Sequence, residues 1–257
     1  MFVTQSKYTL KQLLNINLIA AILILSTMSL GVFANTQHWA VDIKPGQVVQ
    51  LIAPVTSPET LPLRRQYYRD AIPLAEQYGF TNHGQLVVER TILGNFKPPT
   101  IIIGSWPSPM AISAFEQEPR WPELKRNRSA AWQDIRLYNG EVDQPQNMSF
   151  SADKSYTVAF AWVNTERPDD YYQYLDSVEP LLTEIGARFM FKIRHPKIES
   201  DQPNTPAPDQ ITFVEWPDAG ALARLRAMPK YQEIVALLNQ GVTQLDLHVI
   251  RPKAFAE

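Results

Sequence analysis

The 257-residue chain contains no cysteine. That one absence excludes disulfides, thiolate metal sites, a cysteine nucleophile and a bacterial lipoprotein anchor. An excess of charge of one sign is also missing: 24 basic against 26 acidic residues leave a net charge of -2, too balanced for a nucleic-acid footprint. The four histidines, His38, His83, His195 and His248, nowhere fall at a metal-ligand spacing such as HxxxH, and no metal site is expected. A GxSxG elbow, a P-loop and a dinucleotide fingerprint are lacking too, which leaves hydrolase and nucleotide readings without support. What is present is globular: 45% hydrophobic and 19% charged residues, enough chain for one large domain or two of ordinary size.

The N-terminus reads as a targeting segment. Lys7 and Lys11 form a positive stretch, an apolar run follows from Leu18 to Phe33, and Val32-Phe33-Ala34 suits a signal peptidase. Residues 1–34 are therefore expected to be a signal peptide, cleaved after Ala34, that delivers the protein to the periplasm or outside the cell. The alternative is a retained N-terminal membrane anchor, for which the run is short and diluted by Ser26, Thr27 and Ser29.

An internal repeat governs the rest. Residues 101–107 read Ile-Ile-Ile-Gly-Ser-Trp-Pro and residues 211–217 read Ile-Thr-Phe-Val-Glu-Trp-Pro, and Pro119, Trp121 and Glu123 stand at the same offset as Pro229, Tyr231 and Glu233. Residues 35–47 show little periodicity and read as a lead-in. The run Val48–Val55 suits a buried strand. A helix follows from about Leu63 to Tyr78, with Tyr67, Ala71, Leu74, Ala75 and Tyr78 on one stripe; Pro73 should kink it or split its first turn off, and Gly79 end it. Strands over 86–90 and 100–106, helical stretches over 108–115 and 123–128, and a strand over 132–138 complete a first unit, residues 48–142. Residues 143–154 are polar and read as a linker. The same order recurs over 155–252, where Pro180 precedes Gly186 as Pro73 precedes Gly79.

The expected fold class is α+β: two ferredoxin-like βαββαβ repeats, whose apolar sheet faces cover each other in an intramolecular, pseudo-dimeric α/β barrel. Tyr171, Tyr172, Pro180, Gly186, Phe213 to Pro217, Ala221 and Pro229 to Glu233 resemble the family called domain of unknown function 1330, of the dimeric α/β-barrel superfamily. Tyr67, Tyr68, Pro73, Gly79, Arg90, Ser105 to Ser108, Phe115, Glu118 to Trp121 and Arg128 resemble it again. The resemblance implies the fold and is nearly silent on activity, since the superfamily holds cofactor-free monooxygenases, isomerases, haem-handling enzymes and plain binders. The family's arginine after the second helix matches Arg128 while its repeat partner is Leu238, so a site that uses it exists in one half only.

Alternation along the strands separates Ile135 and Leu137 from Asp134, Arg136 and Tyr138, and Leu245, Leu247 and Val249 from Gln244, Asp246 and His248. A cavity between the two sheets that carried Arg90, Arg136, Arg194, Asp246 and His248 would hold a small acid, with His248 and Asp246 as the catalytic pair moving a proton. The plainer reading is that these polar faces are solvated or paired across the sheet. Trp106 and Trp216 end their strands before a Pro turn and are either a wall for a flat ligand or plugs between sheet and helix. The leading expectation is a binder of a small organic molecule, with no membrane or nucleic-acid partner. The alternatives are a cofactor-independent enzyme, monooxygenase- or isomerase-like, and a structural or protein-interaction module. No cofactor is predicted; haem, held through His195 or His248, stays open only because relatives of the fold it resembles carry it.

Overall fold

The computed structural model describes residues 38–255, to which all that follows refers; the expected signal segment lies outside them. The chain is a mixed α+β structure with a nine-stranded sheet and a separate two-stranded one. The smaller sheet pairs β1 (His38–Ile43) with β6 (Gln146–Ser151), antiparallel. This corrects the expectation of an irregular lead-in and linker over 35–47 and 143–154. Trp39, Val41 and Ile43 alternate with polar residues, as do Met148 and Phe150, and these two short patterns bury against each other. Trp39 stacks on Phe150 with ring centres 4.9 Å apart, and its indole donates to the His83 carbonyl at 3.1 Å.

In the large sheet, the first segment supplies β2 (Val48–Val55), β3 (Thr81–Leu93), β4 (Thr100–Trp106) and β5 (Asp134–Glu141). Helix α1 (Leu61–Gln77) joins β2 to β3, and α2 (Pro109–Glu116) and α3 (Trp121–Ala131) join β4 to β5. The second segment supplies β7 (Ser155–Val163), α4 (Pro168–Glu184), β8 (Arg188–Arg194), β9 (Lys197–Ser200), β10 (Gln210–Trp216), α5 (Ala221–Ala227), α6 (Pro229–Gly241) and β11 (Val242–Pro252). Neighbours across the sheet run β8, β10, β7, β11, β3, β4, β2, β5, β9, all antiparallel where they pair.

Pro73 and Pro180 lie inside continuous helices instead of splitting them. Both helices end alike. Gly79 and Gly186 take φ of +84° and +75°, and the next residue's amide reaches back, Phe80 to the Ala75 carbonyl at 3.1 Å and Ala187 to that of Leu182 at 2.8 Å. Only glycine adopts that left-handed turn without strain.

One face of the large sheet builds a single core from both segments. Val49, Leu51, Ile101, Ile103 and Tyr138 meet Tyr156, Val158, Phe160, Phe191 and Phe213, with the β1–β6 pair packed on them. The other face is covered by helices in two separate clusters, one under α1, α2 and α3 and one under α4, α5 and α6. No helix among the described residues is long and apolar enough to cross a membrane.

Candidate functional site

Between the sheet and the helices of the first segment lies a cavity of about 500 Å³. This is within the range of small-molecule sites. Its floor is the outer face of the strands, where Ile52, Ile102 and Leu137 alternate with the residues that enter the shared core. Its roof is open because the α1 stripe carries Ala71 and Ala75 where bulkier side chains would fill it. The walls are aromatic. Tyr67 and Tyr68 meet Trp132 edge-on at 5.0 and 5.5 Å, and Trp106 sits 5.0 Å from Phe80 and 5.3 Å from Phe115. Gln50 is buried on the floor and donates to the Asn139 side-chain oxygen at 2.8 Å.

One end of the cavity is charged. Arg128 is 1% exposed, and its Nη2 donates to Glu199 at 2.7 Å and to Asp201 at 2.9 Å. Lys125 also reaches Glu199, at 3.1 Å, and the guanidinium lies 5.6 Å from the Trp121 ring centre. Burial by itself would lower the pKa of Arg128, but the bonds and charges of Glu199 and Asp201 outweigh it and hold the group ionised. Burial likewise works against ionised Glu199, and Arg128 with Lys125 overcomes it and brings its pKa down. The Tyr67 hydroxyl is pushed up to about 12, mainly by burial, and stays protonated. Three lining residues keep buried N–H donors without a protein partner: Trp106 and Trp132 at Nε1, and Arg128 at Nε and Nη1.

The residues expected to form a site between the sheets are placed differently. His248 and Asp246 lie on one face of β11 and part company there: His248 is packed into the core, while Asp246 edges an open, polar cleft of about 620 Å³. His248 is fully buried, with Nδ1 3.0 Å from the Thr91 hydroxyl, the Phe160 ring at 5.9 Å and no partner at Nε2. Desolvation drives its pKa down to about 4, so it is neutral. Asp246 is buried beside Gly94, where an added Cβ would collide with the carboxylate, and its pKa is raised by desolvation. Arg136 pairs with Asp134 at 3.1 Å, lies over Phe96 at 3.7 Å, and shares a separate open, polar cleft with Asp246. Arg90 and Arg194 are exposed on different strands. The physical reason for the difference is volume: large apolar side chains from both segments fill the middle of the molecule.

Trp106 lines the 500 Å³ cavity, and Trp216 lines its counterpart in the second segment, which measures only about 120 Å³. No histidine lines the larger cavity, so neither His195 nor His248 is placed to hold a haem there. Among the described residues no group of three His, Asp or Glu could hold a metal ion. Sequence reasoning passed over Tyr67, Tyr68, Gln50, Trp132 and Asn139 as site residues. A signal was available: Ala71 and Ala75 stand 107 positions before Val178 and Leu182, the same offset as Pro73 to Pro180, so the repeat itself marks the half with missing volume.

Residues 154–252 match the model of one family, Domain of unknown function (DUF1330). The DUF1330 match takes in the second segment; the first enters that family only as a proposal. No curated protein is significantly similar to the chain. Among solved structures, an anthrone oxidase-like protein is 13% identical, with 85% of this chain and 97% of that one covered at a TM-score of 0.49. A mutant chlorite dismutase from Candidatus Nitrospira defluvii is 10% identical, covering 84% and 98% at 0.42. A protein of unknown function from Rhodopseudomonas palustris is 18% identical, covering 46% and 85% at 0.29.

Proposed function

We propose that the protein binds a small, largely apolar organic molecule in the sheet–helix cavity of residues 48–141. The observation that carries this is the 500 Å³ space itself, walled by Tyr67, Tyr68, Trp106, Trp121 and Trp132 and kept open by Ala71 and Ala75. A packed interior rarely leaves such a volume, since every unfilled wall forfeits dispersion contacts. The proposal moves the expected site from between the sheets to behind one of them. His248 and Asp246 stand outside the cavity and take no part in binding.

The same proposal includes a fold. The two segments are read as ferredoxin-like units of a pseudo-dimeric α/β barrel, supported by their equal strand orders (β3, β4, β2, β5 and β8, β10, β7, β11). Strand β9 pairs with β5 and begins three residues after β8 ends, so the chain carries the ring of strands back to its start. Residues 1–34 are kept as a signal peptide removed on export, which an intact mass beginning at Asn35 would support.

The test is a panel of neutral one- and two-ring aromatic compounds, with binding read by calorimetry and contacts by NMR. Binding that is lost in an Ala71→Val, Ala75→Leu double variant supports the assignment. Binding that survives in that variant, or contacts mapped to the second segment, overturns it.

A further inference from the structure

The sheet–helix cavity has a polar neighbour. A second cleft, of about 380 Å³, borders it, and the two share Ile112, Glu116, Trp121, Asn139 and Glu199 in their walls. A molecule whose body fills the apolar space can therefore lay a polar end in the cleft. We infer that the two spaces together take an amine, with its apolar body in the cavity and its protonated amino group against the Glu116 carboxylate and the Trp121 ring. This inference rests on the binding role proposed above and adds the sign of the ligand's charge to it.

The charges along this boundary decide which end group fits. Arg128 is engaged by Glu199 and Asp201, Lys125 by Glu199 at 3.1 Å, and Lys197 by Glu141 at 3.4 Å. Glu116 lines both spaces, is exposed, and has no ion-pair partner among the described residues. Glu116, Glu141, Glu199 and Asp201 thus face Lys125, Arg128 and Lys197, and one negative charge is left over. Glu116 is also the last residue of α2, whose carbonyl end adds partial negative charge at that point. Desolvation first, and the charge of Glu199 second, hold its carboxyl above the ordinary pKa, while Lys125 and Arg128 work the other way and do not prevail. A cation brought by the ligand supplies the compensation these bases leave missing. A ligand carboxylate would meet bases already occupied and an acid in excess.

Trp121 suits the same ligand. Its side chain is partly exposed in the wall of both spaces, and an indole face is the best aromatic partner for a cation. The guanidinium of Arg128, 5.6 Å from the ring centre, already uses it in that way. The second segment withholds the acid. With Trp106 matched to Trp216 and Trp121 to Tyr231, Glu116 falls opposite Arg226, which lines the small cavity there. Unpaired acid and open volume therefore occur together, in one half of the chain.

Three probes with one aromatic body test this on the whole protein: 2-(aminomethyl)naphthalene, 2-ethylnaphthalene and 2-naphthoate. By calorimetry at neutral pH and low salt, the amine should bind about fivefold more tightly than the hydrocarbon, and naphthoate more weakly than either. Glu116→Gln should erase the advantage of the amine. Glu116→Arg, which copies the second segment, should pass the advantage to naphthoate. Glu116 is exposed, so both variants should melt as the parent does. An amine that binds no more tightly than the hydrocarbon overturns the inference and leaves the cavity reading intact, and so does an advantage that survives Glu116→Gln. Failure of all three probes to bind overturns the cavity reading, and the inference with it.

Discussion

The two helix clusters on the outer face of the sheet follow the same order of elements and are finished differently. Under α4, α5 and α6 the space is closed by Val178, Leu182, Tyr171 and Tyr231, and about 120 Å³ remains. Under α1, α2 and α3 the helix presents Ala71 and Ala75, and about 500 Å³ remains. The tryptophans at the ends of β4 and β10 make the same contrast in polar terms. Trp216 has Thr157 as acceptor; Trp106 has no partner, and Gln50, standing 107 positions before Thr157, has turned to Asn139 instead. Arg128, seven residues beyond Trp121, corresponds to Leu238, seven beyond Tyr231. One segment closes its own face. The other keeps volume and a buried cluster of charges.

Removing the charge should have the largest effect. Arg128→Leu, which copies the second segment, strands Glu199 and Asp201 and should cost about 3 to 5 kcal/mol of unfolding free energy by denaturant titration. A loss below about 1 kcal/mol would mean that the cluster is not a structural clamp.

The pH dependence of stability sharpens a second contrast, between the shared core and the cavity. The pKa of His248 in the folded chain is depressed to about 4 against an unfolded value near 6.5. The unfolded chain therefore gains its proton first as pH falls, and stability present above about 6.5 is lost between there and about 4. The loss should be on the order of 3 kcal/mol and should shrink markedly in His248→Phe, while ligand affinity in the cavity stays unchanged.

Filling the cavity separates binding from stability. Ala75→Leu should leave stability within about 1.5 kcal/mol, because the added methyl groups enter existing space. It should nevertheless weaken an aromatic probe at least tenfold by calorimetry. The smallest expected effect is the loss of one hydrogen bond. Thr157→Val removes the acceptor of Trp216 and should cost about 1 kcal/mol in a thermal or denaturant melt. Gln50→Thr offers Trp106 the same acceptor and should recover a part of that amount.

Much of the architecture could be read from the residues because it rests on periodicity. The doubled Trp-Pro stretches do end strands, β4 and β10, and Gly79 and Gly186 do stop their helices through the left-handed turn. What escaped was short or concealed by composition. Residues 38–43 and 146–151 each carry a brief alternation, hidden by Pro45, Gly46 and a run of polar residues, and only their mutual pairing makes them strands. Likewise β9 lies inside a Pro-rich loop and owes its existence to β5. The site was less legible still. Polar residues facing inward suggested a pocket, yet whether a face encloses space or is filled depends on the summed volume of side chains from opposite ends of the chain. Phe160, Phe191 and Phe213 settle that for His248, and Ala71 and Ala75 settle the reverse for Trp106.

The carboxylates that hold Arg128 come from Glu199 and Asp201, beyond the point where the second segment has begun, and Glu199 also forms part of the cavity wall. The half that holds the cavity thus takes its last wall from the other. Residues 48–142 made on their own would present a bare guanidinium and a gap beside it, and a graft of that half onto an unrelated partner would inherit the same defect. Parting the two halves would therefore also take away a wall of the cavity.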